Sequence, residues 1–171
     1  IFKMPEDLNH ALLNKIPRVM CFANFTWNLN LSIAFAQYVK NTNNKVPIIF
    51  GGPNLPIPQD EREAFLRLYP EIDFYIKWDG EHAFLELYKA LASNNFDVQK
   101  VKEENLFIPN CLYIHDNNYY EGPDSRIADL MSVPSPYHMG LMDKFFRQDL
   151  RPLVEFTRGC PFGCTFCNDA V

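Results

Sequence analysis

The sequence predicts an α/β protein, a doubly wound parallel sheet flanked by helices, and two observations predict it. Short, nearly continuous apolar runs recur along the first half of the chain, and segments with helical apolar spacing separate them. Strands alternating with helices imply parallel pairing, because each helix carries the chain back to the starting edge of the sheet. A continuous apolar run also marks a strand covered on both faces.

The elements follow in order. Leu8, Ala11 and Leu12, with Ile16 after them, give helical spacing over 7–15 behind an Asp7 cap, and Pro17 ends it. Arg18 to Asn24 (RVMCFAN) reads as the first buried strand. Asn28 caps a second helix whose stripe is Leu31, Phe35 and Tyr38 or Val39, fading into the polar turn 41–44. Val46 to Phe50 is the next strand and ends at Gly51-Gly52, after which Pro53, Pro56 and Pro58 make a stiff, non-helical loop. Glu61 to Tyr69 is a third helix and Ile72 to Ile76 a third strand. A fourth helix follows Asp79-Gly80, with Ala83 or Phe84, Leu87, Tyr88 and Leu91 on one face.

The character changes after about Asn94. The chain reads as an α/β domain over 1–94, a hairpin and linker over 95–147, and the start of a further domain over 148–171. Leu112 to Tyr120 has the pattern of a β-hairpin turning at Asp116-Asn117-Asn118. Arg126 to Tyr137, with Pro134 and Pro136, reads as extended linker. A short helix is expected near Leu141 to Phe146, and Pro152 to Phe156 as a last strand.

Composition narrows the classes of function. With 171 residues, 47% of them hydrophobic, the chain holds enough apolar material for one domain and a short appendage. A net charge of −5 and no run of Lys or Arg argue against nucleic acid as a partner. No apolar run is long enough to span a membrane, and IFKMPEDLNH puts acids where a signal peptide needs an apolar core. A cytoplasmic protein is expected, in which Asn24-Phe25-Thr26 and Asn30-Leu31-Ser32 are chance matches to a glycosylation triplet. Ile1 and Val171 read as interior points of a longer chain.

Three of the five cysteines fall within eight residues, at Cys160, Cys164 and Cys167. In a reducing compartment such crowding argues for metal ligation rather than disulfides. Three thiolates can hold three irons of a [4Fe–4S] cube and leave the fourth iron open. A structural zinc site is the alternative. It would want a fourth Cys or His nearby, and His115 and His138 lie well upstream.

The spacing Cys160-x-x-x-Cys164-x-x-Cys167, with Phe166 before the last cysteine, resembles the CxxxCxΦC signature of the radical S-adenosylmethionine (SAM) superfamily. The lead-in Glu155-Phe156-Thr157-Arg158-Gly159 is similar to the entry into that family's partial (β/α) barrel. The resemblance implies that Cys160, Cys164 and Cys167 hold a [4Fe–4S] cluster that chelates SAM, with Phe166 near the adenine. It also implies an external electron donor, whose electron cleaves the sulfonium. Only the first strand and cluster loop of that barrel are represented.

Upstream, Phe25-Thr26-Trp27-Asn28, Ile49-Phe50-Gly51-Gly52-Pro53, Asp79-Gly80-Glu81 and the Ser135-Pro136-Tyr137 linker are similar to the Rossmann- or flavodoxin-like cobalamin-binding domain of class B radical SAM enzymes. The resemblance implies cobalamin contacts from Asn24, Thr26, Trp27, Gly51, Gly52, Asp79, Gly80 and Glu81. These positions fall at the carboxyl ends of the expected strands, where doubly wound sheets bind ligands. Each also has a plain structural reading. Gly51-Gly52 suits a tight turn, Trp27 can plug the top of the sheet, Asp79 can cap a helix, and Glu81 suits a helix first turn. Trp78 departs from the family pattern, which has glycine there.

The implied function is methyl transfer, or another radical modification of an unreactive carbon, on a small-molecule or peptide substrate. The competing readings are a docking or sensing module without catalysis and a zinc-stabilised structural protein. His10, His82 and His115 read as surface residues, and Cys21 and Cys111 as small hydrophobes within strands.

Overall fold

The computed structural model describes residues 2, 4–146, 150, 152–155, 158–160, 162 and 164–165. They form two compact units, Ile1–Ile127 and Ala128–Val171.

The first unit is built on a five-stranded sheet in the order β1-β2-β3-β4-β5. The strands are β1 (Met20–Ala23), β2 (Ile48–Gly51), β3 (Phe74–Ile76), β4 (Cys111–His115) and β5 (Asn118–Glu121). β1, β2 and β3 run parallel, with Cys21 opposite Ile49 and Phe50 opposite Tyr75. β4 joins β3 antiparallel and β5 closes the hairpin. Asp116 and Asn117 take φ of 45° and 61°, which a two-residue hairpin turn of primed type requires and Asn and Asp tolerate. The hairpin is thus hydrogen-bonded into the same sheet as the strands before it.

Helices cover both faces, so the doubly wound α/β class is what the chain adopts. α1 (Pro5–Asn14), α2 (Leu29–Thr42) and α3 (Gln59–Leu68) lie on one face. There Leu12, Ile33, Ala36, Val39 and Leu66 pack with Ile48, Phe50, Tyr75 and Leu112. α4 (Gly80–Ser93) and α5 (Val98–Glu103) cover the other, where Leu87, Leu91 and Val101 meet Ile49, Phe74 and Cys111. Alternate residues of a strand point to opposite faces, and this splits the run 48–50 and the run 74–76 between the two cores.

Several expectations shift in detail. Pro5 opens α1, as its fixed φ favours, so Asp7 sits inside the first turn instead of capping it. α2 buries Ser32, Ile33, Ala36 and Val39, whereas Leu31 is exposed. On α4 the buried face is Ala83, Leu87 and Leu91, and Phe84 and Tyr88 face outward. β1 is an edge strand whose Cys21 and Ala23 are exposed, not a strand covered on both sides. α5, which the sequence did not reveal, is capped by Asp97, whose carboxylate accepts from the amides of Gln99 and Lys100. Gly122 crosses Ile108 so closely that a Cβ would lie 1.8 Å from its carbonyl oxygen.

Among its described residues the second unit holds two single turns of 3-10 helix, Leu130–Ser132 and Asp143–Phe145. The Tyr137 hydroxyl donates to the Leu153 carbonyl at 2.9 Å and accepts from the Leu153 amide at 3.1 Å, tying the linker to the segment before the cysteines. Residues 152–155 form no strand, and Phe156 lies outside the described residues.

Candidate functional site

The carboxyl ends of β1, β2 and β3 bring together three loops, and a latch of polar side chains holds two of them. Asn24 follows β1 and is fully buried. Its Nδ2 donates to the Asn54 carbonyl and to the Tyr75 hydroxyl, both at 3.1 Å. Its Oδ1 accepts from Asn54 Nδ2 at 3.2 Å. Tyr75, rising from β3, in turn donates to the Gly52 carbonyl at 2.8 Å. Burial holds the Tyr75 phenol above its ordinary range, so the hydroxyl stays protonated as a donor. Gly52 has φ 129°, and a Cβ there would lie 2.6 Å from the Asn24 carbonyl oxygen. Asn24 and Gly52 therefore serve first to fit the β1 and β2 loops against each other.

Thr26 hydrogen-bonds Asn54 Oδ1 at 3.3 Å. Asn28 precedes α2, but its side chain turns back into the loop, accepting from the Phe25 amide at 2.8 Å and donating to the Ala23 carbonyl at 2.8 Å. This fixes the loop so that Phe25 and Trp27 stack at 4.8 Å and 9° between rings. Trp27 is 82% exposed, which overturns its reading as a plug in the sheet. It presents a flat apolar surface at the rim.

The third loop leaves β3 through Lys77, which is buried and paired with Glu121 and Asp124; Glu121 also meets Arg62 at 3.1 Å. Trp78 takes φ 54°, a left-handed conformation that glycine adopts without strain. The Arg126 guanidinium lies 4.7 Å over the Trp78 ring, and the indole donates to Asp124 at 3.3 Å. Asp79 stands at the N-cap of α4 without a capping side-chain bond. Its carboxylate instead accepts from the Ile127 amide at 2.6 Å and Arg126 Nη1 at 3.3 Å, tethering the segment after the hairpin. Glu81 is exposed in the first turn of α4.

Between these loops and α4 lies an apolar cleft of about 320 Å³. Cys21, Ala23 and Ile49 form its floor; Gly51, Gly52 and Gly80 leave backbone open along it, and Trp78 and Phe84 form a wall. The apolar surroundings raise the Cys21 thiol to about 11, so it remains neutral and behaves as part of the lining. Of the residues singled out in the sequence, Gly51, Gly52 and Gly80 line this cleft; Asn24, Thr26 and Trp27 build the loop beside it. Asn54, Tyr75 and Arg126 were missed, and no local pattern marks them.

In the second unit Cys160 and Cys164 are exposed free thiols. Arg158 reaches Glu155 at 2.6 Å just before them. Phe166 and Cys167 lie outside the described residues. Among the described residues no group of three His, Cys, Asp or Glu gathers as a metal site.

Over 159 residues, 89% of its length, the chain is 30% identical to 2-(S-pantetheinyl)-carbapenam-3-carboxylate methyltransferase of Streptantibioticus cattleyicolor. It is likewise 30% identical over 159 residues, 89% of its length, to the cobalamin-dependent radical SAM methyltransferase TokK of Streptomyces tokunonensis. These three relatives, counting the next, are methyltransferases by name. An uncharacterized methyltransferase of Pyrococcus horikoshii is 28% identical over 176 residues, 98% of this chain and 36% of the relative. The chain spans 22% of the length of the first two. No family model matches it. No described helix is long and apolar enough to cross a membrane.

Proposed function

We propose that this chain is part of a cobalamin-dependent radical SAM methyltransferase, with the α/β unit as its cobalamin-binding part and Cys160, Cys164 and Cys167 as the ligands of a [4Fe–4S] cluster. The observation that carries the reading is the apolar, glycine-lined cleft at the carboxyl ends of the parallel strands, in a chain similar over 89% of its length to a protein named for that chemistry.

The chemistry of the residues supports the reading. A cleft of about 320 Å³ suits the nucleotide base of a corrinoid and is too small for the macrocycle, which would rest on the exposed Trp27 ring stacked on Phe25. A Cβ on Gly51 would lie 3.2 Å from the Ile76 carbonyl oxygen, so glycine lets the end of β2 lie close against β3 beside the cleft. Asn24, Tyr75 and Asn54 do not bind the ligand directly; they hold the two loops that do. Glu81, exposed at the α4 start, would accept from a ribose hydroxyl. For the cluster, soft thiolates are the donors iron–sulfur centres take, and Cys160 and Cys164 are unpaired. When bound, the cluster supplies an electron to SAM and the cobalamin a methyl carrier, for transfer to an unreactive carbon. Phe166 would sit beside the adenine, and an external donor would supply the electron. The substrate would be a small molecule or peptide.

A second reading is favoured by the full engagement of Asn24 and by the bonds that tie Asp79 to Ile127 and Arg126: a module of the same fold that docks and binds no corrinoid. Hydroxocobalamin added to the chain, followed by gel filtration, separates the two. A red complex at one corrinoid per chain is expected. Gly80→Leu should abolish it, because a Cβ at Gly80 meets only Ile76 Cγ2 at an ordinary 3.5 Å and the added side chain fills the cleft. No retained corrinoid, or equal retention by Gly80→Leu, would sink the cobalamin reading and leave the docking module.

A further inference from the structure

The amino ends of the strands carry a second concavity that the proposed function leaves unused. Its volume is about 1230 Å³, and its walls are the ends of α1, α2 and α4, the turns entering β1 and β2, and the start of α5.

Its charge is opposite to that of the chain. The protein carries a net −5, yet Lys15, Arg18, Lys40, Lys45 and Lys100 line this hollow against Asp73 and Asp97. Both carboxylates are already used. Asp73 pairs with Lys40 at 2.6 Å and accepts the Ile48 amide at 2.7 Å, and Asp97 caps α5. Lys40 also donates to the carbonyls of Asn44 at 3.2 Å and Val46 at 3.0 Å in the turn after α2, so its ammonium is taken up within the fold. The side chains of Lys15, Arg18, Lys45 and Lys100 do neither. None has a carboxylate partner or donates to a carbonyl among the described residues.

Backbone strain at the mouth is an independent observation. Asn95 and Phe96 take φ of 54° and 63° in succession. Asn tolerates this region, but a bulky aromatic residue there is strained. The result is a Phe96 ring 5.1 Å beneath the Arg18 guanidinium, which orients the one arginine of the hollow. Arg18, Tyr88 and Phe96 continue into an adjoining hollow of about 410 Å³.

We propose that this concavity binds a small polyanion carrying two or more phosphate groups, with Arg18 as its forked anchor and Lys15, Lys45 and Lys100 around it. A concave wall selects a small ligand over a flat protein face. The planar arginine fork matches two phosphate oxygens at once, whereas lysines act as point charges. Cations spread over several segments need a ligand with more than one charged group. The volume exceeds what a single phosphate fills.

Calorimetric titration of the chain with inorganic pyrophosphate at low ionic strength tests this, with citrate, a tricarboxylate, as the comparison. One site is expected, with citrate weaker by about tenfold or more, and Arg18→Gln should weaken pyrophosphate by about tenfold. Should Arg18→Gln fail to fold by circular dichroism, the double variant Lys45→Gln/Lys100→Gln carries the same comparison and should bind more weakly than wild type. Absence of pyrophosphate binding, equal affinity for citrate, or full affinity in the charge variants would overturn the assignment. Gly80→Leu should leave pyrophosphate binding intact, so this site and the corrinoid cleft stand or fall separately.

Discussion

Gly52 lies against Asn24 so tightly that a Cβ would sit 2.6 Å from the Asn24 carbonyl oxygen and 3.0 Å from its nitrogen. The loop after β2 is thereby shaped by the loop after β1, and both rims of the cleft depend on this one approach. Gly52→Ala must strain a φ of 129° and push two backbones apart. Urea denaturation should show a loss of about 1–3 kcal/mol. An unchanged midpoint would mean that the loops are not interlocked.

Tyr75→Phe removes only a hydroxyl, but that hydroxyl accepts from Asn24 and donates to the Gly52 carbonyl. The buried Asn24 amide and the Gly52 carbonyl each lose a partner, and the expected cost is about 1–3 kcal/mol. Faster amide exchange at 51–54 should accompany it. Stability equal to wild type would show that the latch contributes nothing.

Asp79→Asn takes a negative acceptor away from the Ile127 amide and from Arg126. Bonds to charged groups contribute about 1.5–3 kcal/mol, so the melting temperature should fall and the Ile127 amide should exchange faster. If neither changes, the tether from α4 to the segment after the hairpin is not holding.

Asp124 should titrate below the ordinary aspartate range, because the Lys77 ammonium hydrogen-bonds it. A carboxyl whose folded pKa is depressed takes its proton more readily in the unfolded chain. Its stabilisation is complete above about pH 3.9 and fades as pH falls from there through the folded value. Asp124→Asn should therefore lose less stability than wild type on acidification through that window, measured by thermal melts across pH. Equal losses would contradict the pairing.

The order of helices and strands was legible because each element carries its own periodicity. Finer features were not, for physical reasons that differ by element. In α2 the run Leu31-Ser32-Ile33 offers two faces, and the sheet took the one with the small serine, which spacing alone does not foretell. The β1 run is apolar throughout, but burial depends on what covers each face, and Cys21 and Ala23 lie on the face that lines the cleft. α5 has six residues, too few for a period, and its one signal was Asp97. At the site, the glycines after β2 and before α4 were legible as punctuation. The latch was not, since Asn24 finds Asn54 across 30 residues and Tyr75 across 51.

The most direct test of the proposed chemistry is metal analysis of the intact protein that carries this chain, after anaerobic reconstitution with iron and sulfide. About four irons per chain are expected, falling away when Cys160, Cys164 and Cys167 are replaced by alanine. Stoichiometric zinc in place of iron, or iron unaffected by the triple replacement, would contradict it.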